Sequence, residues 1–131
     1  MTWRNNHNKY GNKKVYAYGI KFDSKKEAER YIELRFLQEK GLIHDLELQK
    51  KFVLIPAQYA ESNEVYKRGE KAGQRKRGKL LEHEVAYYAD FDYYTAEGEH
   101  VVEDTKGVKT KEYIIKRKLM LREYGIKIKE V

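Results

Sequence analysis

The sequence predicts a single α/β domain, and three observations carry that expectation. A length of 131 residues fits one domain better than two. A chain of that size buries roughly two-thirds of its unfolded surface and needs no staples to form a core. Two segments bear helix start and stop signals, and β-prone stretches precede, separate and follow them. The resulting order is βαββ(β)βαβ, with no internal repeat and no Rossmann glycine motif.

Residues 1–14 are polar, rich in Asn and Lys, and read as a flexible arm, which leaves 15–131 as the domain. Val15-Tyr16-Ala17-Tyr18-Gly19-Ile20 is short and β-prone, so a strand or hairpin arm is expected. Asp23 or Ser24 caps a helix, with Glu27 three residues after Ser24 as in a capping box. That helix runs to about Lys40 and stops at Gly41. Glu27, Tyr31, Leu34 and Gln38 share one side of it, and Ile32 and Phe36 an adjoining side. Leu42 to Ile55 reads as one strand, ended by Pro56, the only proline. From Gln58 to Lys79 the chain is polar and basic with Gly69, Gly73 and Gly78. A disordered loop, a β-hairpin flap and a short helix all fit this stretch.

Leu81 to Tyr94 reads as one long strand. Glu82, Glu84, Ala86, Tyr88, Asp90, Asp92 and Tyr94 share one face of it, and Val85, Tyr87, Ala89, Phe91 and Tyr93 the other. A turn over Thr95–Glu99 leads to a return strand from His100 to Lys106. On that strand His100, Val102, Asp104 and Lys106 point one way, and Val101, Glu103 and Thr105 the other. Gly107 breaks it. Thr110 caps a second helix that runs to about Tyr124 and ends at Gly125, and Ile126–Lys129 alternates like a final edge strand.

Composition excludes several classes. Without Cys there is no disulfide, Cys-ligated zinc, iron–sulfur cluster or thiol catalysis, and a reducing cytoplasmic setting fits. No apolar run reaches 18 residues, and the polar start lacks the stretch of a signal peptide, so no membrane association is expected. His7, His44, His83 and His100 are too scattered for a zinc site. No P-loop or Ser-His-Asp arrangement is visible. A charged share of 37% is polar for a globular domain, but 12 Tyr argue against disorder. The net charge of +7 favours a polyanionic partner. Its distribution says more. Residues 80–105 hold no Lys or Arg and eight acids, between the basic blocks 64–79 and 106–131. Carboxylates that hold a cation, beside cations that hold phosphates, are what a metal-dependent phosphodiesterase needs.

The chemistry centres on Asp90 and, 14 residues later, Asp104-Thr105-Lys106. Strand periodicity puts Asp104 and Lys106 on one face, about 7 Å apart along the strand. An in-register hairpin lets Asp90 approach Asp104. Two such carboxylates can hold one Mg²⁺ (or Mn²⁺) and leave positions for water and phosphate. Lys106 would orient the water or offset transition-state charge, and Glu27 would complete the metal sphere or hold a metal-bound water. Thr105, inside the triplet, is a further metal-site candidate. Asp-x-Lys alone is a common triplet. The ordered set of helix acid, hairpin, acid, acid-x-Lys and basic helix is far rarer.

That set resembles the PD-(D/E)XK nuclease superfamily, and more closely an uncharacterised phage and prophage family assigned to it. The matching pieces are Phe22-Asp23-Ser24-Lys25-Lys26-Glu27-Ala28, Leu46-Glu47-Leu48-Gln49, Tyr88-Ala89-Asp90-Phe91, Val101-Val102-Glu103-Asp104-Thr105-Lys106-Gly107 and Ile115-Lys116-Arg117-Lys118-Leu119. The resemblance implies a central mixed sheet flanked by helices, as in a restriction-endonuclease-like core, and a divalent-metal site. It implies Asp90, Asp104 and Lys106 as core active residues, Glu27 as helix acid and Gln49 as a helper near the site. Ala89 stands where the motif has proline. Glu103 adjoins Asp104, and spacing and parity favour Asp104 unless a bulge shifts the register. Asp92 is the rival of Asp90 on its strand.

The expected activity is Mg²⁺-dependent DNA endonuclease, on branched or recombination-intermediate DNA by analogy with small Holliday-junction resolvases of the superfamily. Two nicks imply a homodimer, and a phage or prophage origin implies the cytoplasm of a bacterial host. The expected phosphate contacts are Arg75, Lys76, Arg77 and Lys79 in the basic loop, and Lys111, Lys116, Lys118 and Arg122 on the second helix. A charge run is more often only a solvated surface. The alternative is a non-catalytic nucleic-acid-binding or protein-interaction module on the same fold.

Overall fold

The computed structural model describes residues 14–131, so the expected polar arm lies outside the described residues except for Lys14. β1 (Val15–Ala17) turns straight into β2 (Ile20–Phe22). Tyr18 and Gly19 at the turn hold left-handed backbones, φ 51° and 77°, as a two-residue hairpin requires. α1 (Lys25–Glu39) begins where Ser24 Oγ accepts the Glu27 N–H at 3.1 Å. Glu27, Ala28, Tyr31 and Leu34 are its buried residues, while Ile32 and Phe36 on the adjoining side, and Gln38, are exposed.

β3 (Ile43–Ile55) follows, then β4 (Gln58–Tyr59) and β5 (Leu80–Glu82), which pair only with each other. β6 (Val85–Thr95), β7 (His100–Asp104), α2 (Lys111–Tyr124) and β8 (Lys129–Glu130) complete the chain. The main sheet has the order β3-β6-β7-β8. Only β7 and β8 are parallel, so this is a mixed sheet flanked by two helices in a small α/β domain.

Four expectations change. The strand expected from Leu81 to Tyr94 is two, because Pro56 ends β3 and the main ladder stops at Ile55 opposite Val85. The return strand ends at Asp104, not Lys106. There the Thr105 and Lys106 amides donate to the carboxylates of Asp90 and Asp104 rather than to a neighbouring strand. The last strand lies at Lys129–Glu130, because Ile126 N–H closes onto Met120 O at the end of α2 and Ile128 is drawn into the core. Of the three conformations open to 58–79, the paired one forms.

The fourth change concerns faces and locates the site. Alternation puts Tyr87, Ala89, Phe91 and Tyr93 together, yet they split between two cores. Phe91 and Tyr93 pack with Tyr31 and Leu34 of α1, whereas Tyr87 and Ala89 pack with Tyr113 and Met120 of α2. β3 switches at the same level, Leu46 and Leu48 going to the first core and Phe52 and Leu54 to the second. Gln49, at the switch, has φ 51°. Leu48 pairs with Phe91 and Lys50 with Ala89, so the switch falls between them on both strands and the register is kept. Gln49 and Asp90 therefore sit where both strands roll over.

Candidate active site

The start of α1, the rollover of β3 and β6, and the end of β7 bring polar groups together. Glu27 enters from the first turn of α1 and is 8% exposed. Gln49 Nε2 donates to Asp90 Oδ1 at 3.1 Å and to Glu27 Oε1 at 3.4 Å. Asp90 Oδ2 accepts from both the Thr105 amide at 2.9 Å and the Thr105 hydroxyl at 2.8 Å. Asp104 is buried at the end of β7, where its Oδ1 accepts the Lys106 amide at 3.0 Å. Its Oδ2 accepts the Tyr87 hydroxyl at 2.6 Å. The Lys106 ammonium lies 5.3 Å from the centroid of the Tyr113 ring.

The three acids are electrostatically coupled. Burial, then the charge of Asp90, then Asp23 and Asp104, push Glu27 up to about 7 from 4.5. Burial also raises Asp104 above its ordinary value, and Asp90 adds to it, against the pull of the Tyr87 hydroxyl and Lys106. A divalent cation would offset this repulsion. Asp90 Oδ2 is filled by its two bonds from Thr105, but Asp90 Oδ1 and both Asp104 oxygens keep acceptor capacity, and all are hard oxygens. Asp90 and Asp104 thus fit Mg²⁺ or Mn²⁺, with Glu27 as a further oxygen. Thr105 fits as the residue that fixes Asp90. Among the described residues no three His, Asp or Glu side chains form a ready-made cation cage.

The two rival acids are committed elsewhere. Glu103 is fully buried and held by Arg30, Nε to Oε1 at 2.7 Å and Nη2 to Oε2 at 2.8 Å, with the Tyr93 hydroxyl as third donor. Burial works against its charge, but these donors hold its carboxyl below the ordinary range. Asp92 pairs with His100, Oδ2 to Nε2 at 2.8 Å. Of the acids on these two strands, Asp90 and Asp104 are thus the ones whose charges reach Glu27.

Sequence reasoning missed Tyr87 and Arg30. Alternation placed Tyr87 opposite Asp104, and only the rollover at Asp90 brings them together. Arg30 carried no signal, since its partner lies 73 residues away.

The expected phosphate contacts divide. On α2, Lys116 pairs with Glu112 and Arg122 with Glu123, while Lys111 and Lys118 are exposed without an ion pair among the described residues. In the segment between β3 and β6, Arg75, Lys76, Arg77 and Lys79 are all exposed. None of them forms an ion pair among the described residues.

Fold and site together define a small α/β domain with a partly buried carboxylate cluster where α1 meets the sheet. The chain belongs to the family described as "Protein of unknown function (DUF1064)", matched over residues 7–130. No curated protein and no solved structure matches it. Among the described residues no helix is long and apolar enough to cross a membrane.

Proposed function

We propose that this chain is a divalent-metal-dependent DNA endonuclease of the PD-(D/E)XK type. The observation that carries the reading is the convergence of Glu27, Asp90 and Asp104, with Gln49 bridging the first two and the backbone of Lys106 bonded to the third. The charge of Asp90 raises both Glu27 and Asp104, so the cluster makes a poor structural element, and a divalent cation would offset its repulsion. A bound Mg²⁺ or Mn²⁺ would supply Lewis acidity toward a phosphoryl oxygen and the attacking water.

The chain's own residues do the rest. Asp90 and Asp104 would hold the cation, and the bonds from Thr105 and Tyr87 orient their carboxylates. Gln49 sets the spacing of Glu27 from Asp90. Glu27, raised by burial and by the charge of Asp90 in the metal-free chain, would give up its proton as a cation binds. Lys106 offsets charge as water adds to phosphorus in line with the leaving oxygen. The P–O bond breaks, its electron pair stays on the leaving oxygen, and that oxygen takes a proton. Basic residues of the β4–β5 segment and of α2 hold the backbone on either side. A branched or recombination intermediate, cut by a homodimer, is the substrate the superfamily resemblance suggests.

The test is cleavage of labelled linear duplex, single strand, flap and four-way junction with Mg²⁺ or Mn²⁺. Metal-dependent cutting by the native chain, lost in Asp104→Asn and Lys106→Ala with DNA binding retained, supports the reading. DNA binding with no cutting of any substrate contradicts it and favours a binding module.

A further inference from the structure

We infer that the excursion between β3 and β6 is a β-ribbon that docks in the major groove of double-stranded DNA. This deepens the reading above by assigning a duplex segment to the substrate. It rests on that reading only for the identity of the polyanion.

The excursion is paired along its length. β4 and β5 form an antiparallel ladder, Ala60 N–H reaches Lys79 O at 2.8 Å, and Lys76 N–H reaches Glu64 O at 2.8 Å. Val65 bridges Arg75, and Tyr66 N–H reaches Gln74 O at 3.0 Å near the tip. Gly73, with φ 85°, helps to close the tip. Gly78 seals the close approach lower down. A Cβ there would stand 2.0 Å from Ala60 O.

The ribbon has strand order but no core, since no residue from 58 to 86 is buried. Its ends return to the main sheet, yet β4 and β5 join no strand of it. An ordered excursion that buries nothing gains little to offset its conformational entropy within the free chain. What it presents is charge. Lys67, Arg68, Lys71, Arg75, Lys76, Arg77 and Lys79 stand against Glu61, Glu64, Glu70 and Glu82. None of these cations is ion-paired among the described residues.

Shape selects among nucleic acids. Two strands about 4.8 Å apart, with their own breadth added, exceed a minor groove about 6 Å wide and suit a major groove about 12 Å wide. The aromatic groups argue against a single strand. Nonspecific single-strand binders offer free rings for bases to stack on. Here Arg77 lies 4.2 Å from the Tyr59 ring centroid, and Lys76 and Lys71 lie 5.5 and 5.8 Å from that of Tyr66. Each ring already has a cation over it, although Tyr59 keeps 38% of its surface exposed. From Glu82 to Asp90 the chain spans at most about 26 Å, less than one helical turn of DNA. The base of the ribbon therefore lies within a turn of Asp90, and Arg75, 15 residues before it, within about one and a half turns.

The experiment measures binding in EDTA, where no cutting occurs, so it stands apart from the fate of the nuclease reading. A labelled duplex of about two helical turns and one of its strands are titrated at several salt concentrations. The proteins are the native chain and the triple variant Arg75→Ala, Lys76→Ala, Arg77→Ala. Thermal unfolding of the variant should be unchanged, because none of the three is buried. The expected result is a duplex preference, a loss of tenfold or more in the variant, and a salt slope smaller by about two to three. Methyl green, a major-groove ligand, should compete, and netropsin, a minor-groove ligand, should not. Unchanged binding by the variant overturns the inference, as does competition by netropsin alone. Equal ribbon-dependent binding of the single strand, or of a polyglutamate peptide, also overturns it and leaves a general polyanion patch. Ribbon-dependent duplex binding with no cutting in Mg²⁺ or Mn²⁺ sustains the groove assignment and sinks the nuclease.

Discussion

Replacing Arg30 by methionine should destabilise the protein by about 3–5 kcal/mol, the range for leaving one charge of a buried pair uncompensated. The magnitude follows from the contacts. Arg30 donates two charge-assisted hydrogen bonds, at 2.7 and 2.8 Å, to a carboxylate with no exposure. Each such bond contributes about 1.5–3 kcal/mol. The pH dependence should change sign as well. With Arg30 in place the Glu103 carboxyl titrates below its ordinary value. Its stabilisation is thus present above the unfolded-state pKa and lost as pH falls through the folded-state one. Without Arg30, burial dominates and raises that pKa, so the variant should gain stability as pH falls from about 7 to about 5. Urea unfolding at both pH values reads this directly. Adding Glu103→Gln to the variant should recover a large part of the loss. A cost below about 1 kcal/mol, with no pH effect, would refute the assignment of Glu103 to structure and reopen its rivalry with Asp104.

Further outcomes concern the site and the ribbon. Glu27, raised from 4.5 to about 7, should make the metal-free protein lose stability as pH rises between those values. The loss should be on the order of 3 kcal/mol. Glu27→Gln should flatten that slope in thermal unfolding measured across the range. Tyr87→Phe removes the 2.6 Å hydrogen bond to Asp104 and should weaken divalent-ion affinity about tenfold or more in calorimetry. Gly78→Ala forces a contact of 2.0 Å with Ala60 O. It should speed proteolysis within 58–82 and lower duplex affinity, while urea unfolding of the main domain stays within about 0.5 kcal/mol of native.

Local chemistry made much of this fold legible. The Ser24 and Thr110 caps fixed the starts of both helices, and Gly41 and Gly125, with φ 76° and 67°, marked their ends. The hairpin joining the two strands of the site was readable because Thr95–Glu99 is turn chemistry between alternating runs. Period-two reasoning paired Asp90 with Asp104 and sent Glu103 to the other side. It failed where one residue broke the period. A left-handed Gln49 leaves no mark in composition, yet it moves Tyr87 to Asp104 and divides one apparent face between two cores. Partners distant in sequence, such as Arg30 and Glu103, were beyond any local pattern. The ribbon was ambiguous because its backbone ladder has no buried side to impose alternation.

The central claim is that Glu27, Asp90 and Asp104 form a divalent-cation site used to cut DNA. Its most direct test is single-turnover cleavage of a bound duplex or four-way junction, with Mn²⁺ titrated over native protein and Asp104→Asn. The expected result is saturable cutting by the native chain, with proton release on ion binding near neutral pH, and loss of both in the variant. Cutting that survives Asp104→Asn, or a native chain that binds DNA but neither takes up Mn²⁺ nor cleaves, would contradict it.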